Sequence, residues 1–420
     1  MGRLAGVLGR HPRLRWAAPA AAIAVVAGIG VVVADAASAD DHPVLPAITA
    51  EQLLTDALQP TAQSLSGTVA LSADLGLPEL PGLTGAVTGT GVVPGSAATL
   101  APVASPLASS PAVSGLTALL SGDHTLRVWA DGPDRSRVAV IADGEESDVV
   151  RNGTDLWVWH SAGQQALHAT LPSRASLAAH GDATPPDLAA LLGQDASSLA
   201  QLPTTPQQAA AMFLAAAGPS TDVATDSTAS VAGRPAYRLV ATPKDPGSLV
   251  ARVVVAIDAT THVPLRVDVY STQRTDPAFS VGFTDVSFAA PAAGVFAFTP
   301  PAGATVEQWQ PAATVPAAPA RTGAHPDVTT VGTGWATVLV ATPPAGAGHS
   351  SAMLGQPAGT TGGVLDALPR VSGDWGSGRT LTGTLFSVLV TDDGTFAAGA
   401  VPVEALEDAV AHAGTSGTGQ

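Results

Sequence analysis

Ten histidines and 34 acidic residues are the side chains here with the means to hold a metal or move a proton. His160 and His168 flank the turn at Ser161–Gly163, and His124 lies on an adjacent strand-like run. Three imidazoles on one sheet could bind zinc. They lack the paired spacing of a metal helix and an acidic partner in fixed register, so solvated strand positions are expected instead. Asp143, Glu145, Glu146 and Asp148 surround a second turn without the spacing of a calcium loop, and a solvated turn is expected there too. The only lysine, Lys244, follows Pro243, so no phosphate-binding GxxxxGK loop exists. Neither a GxSxG elbow nor an HExxH helix is present. Absence of cysteine excludes disulfides, thiolate ligands and a cysteine nucleophile. No nucleophile–base pair is legible, and the expectation is a protein that is not an enzyme and uses no metal or cofactor.

The tryptophans carry more information. Trp157 and Trp159, two apart, share one face of a strand, while Val158 and His160 take the other. Trp129 alternates with Val128 in a neighbouring run. Two readings stay open: the indoles fill a core, or they line an apolar cavity.

The elements that position these residues lie in one stretch, His124 to Pro172. Its short apolar runs are separated by Asp131-Gly132-Pro133, Asp143-Gly144, Asn152-Gly153 and Ser161-Ala162-Gly163. Asn-Gly and Asp-Gly supply the positive φ that tight hairpins need, so an antiparallel meander is expected. Asn152-Gly153-Thr154 also matches a glycosylation sequon, which the turn explains better.

Charge and hydropathy bound the partners. The 420-residue chain has a formal net charge of −16. Residues 1–39 hold four arginines and one acid; without them 14 basic groups face 33 acidic ones, a net −19. Such a body is a poor nucleic-acid binder, and any lipid contact must rest on apolar burial. The basic start, the apolar run Trp16–Ala34 and Ala37-Ser38-Ala39 describe a secretory signal. The run is also close to the length that spans a bilayer, so an uncleaved anchor remains an alternative to cleavage after Ala39. Both place the body outside the cytoplasm, because the arginines stay inside.

Along the body, Ile48–Gln63 reads as a helix capped by Thr49, and Ser64–Ala73 as a strand. Residues 77–116 form a low-complexity insertion. Pro206–Gly218 has helix punctuation and an apolar surface containing Met212 and Phe213. Arg234–Ala241, Arg252–Asp258, Val263–Tyr270 and Phe279–Phe288 read as strands, with Asp258–His262 as a hairpin connection. Pro300–Pro326 reads as a linker. Beyond it, Trp335–Val340, Thr384–Thr391 and Phe396–Ala400 are expected strands, and Pro402–Ala411 an expected helix. The fold class is therefore α+β: a curved antiparallel sheet with helices covering its concave face, plus a small C-terminal α/β unit. The divisions are 1–39 signal or anchor, 40–306 main domain, 307–326 linker, 327–413 C-terminal domain and 414–420 tail.

Residues 122–141, 148–172 and 253–270 resemble the bacterial outer-membrane lipoprotein carrier (LolA-like) superfamily, which includes the RseB/MucB sigma-factor regulatory proteins. The motifs are R-x-x-V at Arg137–Val140, N-G-x-x-x-W from Asn152 to Trp157, and D-x-x-T-x-x-P-L-R from Asp258 to Arg266. Phe386–Val403 is similar to the strands of the regulators' second domain. The resemblance implies an unclosed half β-barrel, a hydrophobic cavity for acyl chains and no catalysis. Cavity candidates are Trp129, Trp157 and Trp159 on one wall, with Val253, Val255, Leu265 and Val267 on the other. Met212 and Phe213 would lie at the mouth. The implied function is an extracytoplasmic carrier or binder of lipid or acylated lipoprotein. The alternative is an envelope-stress sensor that binds a membrane-anchored regulatory or transport protein.

Overall fold

Five hairpin-linked strands open the architecture. In the computed structural model, which describes residues 44–76, 122–142, 145–170, 218–309, 327–343 and 368–416, they are β2 (Gly122–Asp131), β3 (Arg135–Ala142), β4 (Glu145–Asn152), β5 (Asp155–His160) and β6 (Gln165–Thr170). They pair antiparallel in sequence order, as the turn residues predict. The chemistry of the turns is finer than the dipeptides suggested. At the β4–β5 turn the positive φ falls on Gly153 (64°) alone, while Asn152 pairs with Asp155 inside the ladder. At the β5–β6 turn Gln164, not Gly163, takes the left-handed conformation.

A second meander comprises β7 (Thr221–Val231), β8 (Arg234–Pro243), β9 (Val250–Asp258), β10 (Pro264–Ser271) and β11 (Pro277–Ser287). Strand β1 (Ser64–Ala73) lies between the two meanders, paired to β2 on one side and β11 on the other. After β11 the chain crosses to the far edge, where β12 (Thr305–Trp309) pairs with β6 in parallel. The result is one open, curved sheet of twelve strands, β12-β6-β5-β4-β3-β2-β1-β11-β10-β9-β8-β7. Two expectations are corrected by β12: the sheet is not wholly antiparallel, and residues 307–309 belong to it rather than to a linker.

Helix α1 (Ala50–Ala57) is shorter than the Ile48–Gln63 reading. Thr49 caps it as expected, accepting from the Gln52 N–H at 3.2 Å. It stops because Gln59 precedes Pro60, which disfavours helical backbone at that position. Leu53 and Ala57 pack on Leu239 and Ile257, so α1 covers the β8–β9 part of one face. The Pro206–Gly218 helix, with Met212 and Phe213, lies outside the described residues, as do the insertion and residues 1–39. Among the described residues no helix is long and apolar enough to cross a membrane.

The C-terminal unit is a six-stranded antiparallel sheet. Its strands are β13 (Asp327–Val331), β14 (Val338–Thr342), β15 (Arg370–Gly373), β16 (Gly376–Thr382), β17 (Ser387–Thr391) and β18 (Phe396–Gly399), ordered β13-β14-β18-β17-β16-β15. Helix α2 (Val403–Ser416) seats Leu406, Ala409 and Val410 on Val338, Val340 and Leu389. The expected strand Trp335–Val340 begins instead with a 3-10 turn at Gly334–Ala336, because Gly332 and Gly334 take positive φ and turn Trp335 out of line.

Candidate binding site

Strand register decides which side chains can share a site. From β1 outward, Val69 is opposite Leu126, Leu126 opposite Val140, Val149 opposite Val158, and Val158 opposite Leu167. In the other direction Leu71 is opposite Val281, Val281 opposite Val267, and Val267 opposite Val255. Directly opposed residues point to the same side of a sheet. These aliphatic residues therefore form one continuous stripe, on the face that carries α1.

The tryptophans are on the opposite face. Trp129 is opposite Arg137, Arg137 opposite Val150, and Val150 opposite Trp157; Trp159 is opposite Asp148 and Ala166. The seven candidates among the described residues thus fall on two faces of the sheet. Val253, Val255, Leu265 and Val267 lie on the aliphatic face, where Leu265 is fully enclosed in the main core and Val255 is half-buried. Trp129, Trp157 and Trp159 lie on the other. Period-two spacing had grouped Trp157 with Trp159 correctly, but it carries no information about which face of a distant strand they join.

What covers Trp157 and Trp159 is the chain that crosses from β11 to β12. Its 3-10 turn, Ala293–Phe296, buries Phe296. Phe298 sits with ring centroids 5.5 Å from Trp157 and 6.1 Å from Trp159. Trp157 also stacks on His168 at 4.1 Å. His168 contacts Asp155 at 3.0 Å and Gln308 of β12 at 2.9 Å, so the imidazole ties the edge strand down.

Arg137, the first residue of R-x-x-V, organises the same face. It forms a two-pronged pair with Asp148 (2.6 and 3.2 Å), reaches the Val295 carbonyl at 3.4 Å, and lies 5.6 Å from the Trp129 ring. Asp148 is 2% exposed, which corrects its placement in a solvated acidic turn. The position alternates inward with Val150, and only a paired carboxylate tolerates that burial. The D-x-x-T motif is equally structural. The Asp258 carboxylate accepts from the Thr260 and Thr261 N–H groups, the Thr261 hydroxyl and Arg234. Burial alone pushes its pKa up, but Arg234 first and then Thr261 and Thr260 outweigh that and hold it below the ordinary carboxylate range.

One arrangement was not visible in the sequence. Ser147 Oγ lies 2.9 Å from His160 Nδ1, a hydroxyl–imidazole pair on the aliphatic face. Glu145 is 3.9 Å from Nε2 and more than half exposed, too far to orient the ring by a hydrogen bond. Among the described residues no group of three histidines or acids could hold a metal ion.

No family model and no curated protein matches the sequence. Among solved structures, the MucA/MucB complex of Pseudomonas aeruginosa aligns at 15% identity, covering 86% of this chain and 96% of that one, with a TM-score of 0.37. A LolA superfamily protein from Nitrosomonas europaea aligns at 14% identity over 60% of this chain and 99% of that one, with a TM-score of 0.21. The chain is similar to MucB and to LolA superfamily structures. Likeness of this degree assigns neither a ligand nor an activity.

Proposed function

We propose that this protein is an extracytoplasmic, non-enzymatic binder of lipid, or of the acyl chain of a lipoprotein, held against the aliphatic face of the large sheet. The observation that carries the reading is the extent of that face. The stripe runs from β8 to β6; among the described residues the helix on it, α1, lies at its β8–β9 end, and Val138, Val149 and Leu156 toward the other end are half-buried. An aliphatic stripe with half-buried residues beyond α1 suits a flexible apolar guest. Burying each CH₂ contributes roughly 0.8 kcal/mol, so one long chain brings on the order of 10 kcal/mol gross. Ordering the chain and its cover lowers the net, which a carrier that must release its cargo requires. The acidic exterior disfavours adhesion to anionic membrane surface. The opposite face, closed by Phe296 and Phe298, plays a structural part in this reading.

Native mass spectrometry of the full chain, purified without detergent, should find co-purifying acyl lipid. Val149→Asp should weaken binding of a dansyl-labelled fatty acid about tenfold or more, since a charge on the floor must be desolvated by the guest. An empty protein that ignores the probe but binds a membrane-anchored regulatory protein at nanomolar concentration would replace lipid carriage with the sensor reading.

A further inference from the structure

At one pole of the large sheet seven strands end together: β1 at Ala73, β2 at Gly122, β7 at Thr221, β8 at Pro243, β9 at Val250, β10 at Ser271 and β11 at Pro277. The C-terminal sheet is fastened across this pole. Thr384 N–H donates to the Leu75 carbonyl at 2.8 Å, and Leu249 N–H to the Ala400 carbonyl at 2.7 Å. Ser271 Oγ donates to the Thr384 carbonyl at 2.6 Å. Leu75, just past β1, packs with Leu368, Leu381 and Phe386 of the C-terminal unit.

Trp335 goes further in. It is 6% exposed and belongs to the same buried cluster as Leu71, Ala73, Val253 and Val269 of the aliphatic face. Its Nε1–H donates to the buried Thr221 Oγ1 at 2.7 Å, so the one polar atom of the indole is satisfied within that core. The backbone delivers it by an approach only glycine permits: Gly334 has φ +62°, and a Cβ there would stand 2.5 Å from Ser220 Cβ. The C-terminal unit therefore places a large apolar side chain at the end of the face that the acyl-chain reading assigns to the ligand.

We propose that Trp335 is a built-in occupant of the lipid-binding face, so that docking of the C-terminal sheet and binding of an acyl chain compete. This rests on the acyl-chain reading above. Val69, Leu71 and Ala73 of β1 are already buried in one cluster with the indole, so a guest that extends from the half-buried part of the stripe to this end has to displace it. Because coupling is reciprocal, whatever factor docking removes from affinity, a bound chain removes from docking.

The test uses the full chain and dansyl-undecanoic acid as the probe. Trp335→Ala should bind it about tenfold tighter, the gain expected when a mostly closed state is opened. Thr221→Val, which keeps the indole but removes its acceptor, should shift affinity less, in the same direction. In the unsubstituted protein, saturating probe should speed hydrogen exchange at the Leu249 and Thr384 amides, whose acceptors lie across the junction. Equal affinities with unchanged exchange would overturn the competition and leave lipid binding intact. Absence of probe binding in all three proteins would overturn both. Should Trp335→Ala fail to fold, Thr221→Val and the two amides decide alone.

Discussion

The two faces of the large sheet are held by different physics. The α1-bearing face is a stripe of Val, Leu and Phe whose attraction is non-directional and scales with buried area. The opposite face is a set of directional contacts: Arg137 on Asp148, Arg266 on Asp268 with Ser280, Trp157 on His168, and Phe298 over two indoles. Aliphatic surface can exchange one apolar neighbour for another with little penalty. Paired and stacked groups cannot, because removing one partner strands the other. The difference assigns lability to one side and fixity to the other.

The largest expected effect probes the aliphatic side. Phe283→Ala should destabilise by about 3–5 kcal/mol in urea unfolding, and Phe283→Leu by much less, since only volume matters there. Comparable losses from both variants would break the comparison. On the opposite face Asp148→Ala should cost about 3 kcal/mol, and Asp148→Asn should recover little of it. Replacing both partners, Arg137→Met with Asp148→Leu, should restore most of the loss. Phe298→Ala should cost about 1–2 kcal/mol and change tryptophan fluorescence. It should leave fatty-acid binding unchanged; weakened binding would move the site to the indole face.

A smaller effect concerns acid. Asp258 and Asp393 both have folded-state pKa values below the ordinary carboxylate range. For Asp393, burial acts upward and is outweighed by bonds from Thr391 and Thr395. A depressed carboxylate contributes stability that is complete above its unfolded value and disappears as pH falls through the folded one. Urea midpoints should therefore hold steady from neutrality to the ordinary carboxylate range and drop below it. In Asp258→Asn that drop should be shallower.

Strands and hairpins were legible because their signals are local. Alternation in Val263–Val269, Gly132 and Gly153 at turns, and Thr49 before a leucine stripe each act within a few residues. The helix end at Ala57 was missed because helical periodicity continues past the point where Pro60 forbids helix. Asp148 was misplaced because a carboxylate among acids looks solvated until its partner, eleven residues away, is seen across a ladder. Trp335 reads as a strand residue, since nothing near it in sequence says that its ring belongs to another sheet's core.

The sequence by itself determined the alternation along each strand, the positions of the turns, the acidic charge and the exclusion of thiol chemistry. These depend on neighbours a few bonds away or on composition alone. Only the tertiary structure decided that β1 joins the two meanders, that the tryptophans and the aliphatic candidates stand on opposite faces, and that the C-terminal sheet supplies an indole to the main core. The reason is register. A period of two fixes which residues of one strand travel together, whereas the side they face is set by pairing with strands as far as 221 residues away, as Ser66 with Ser287.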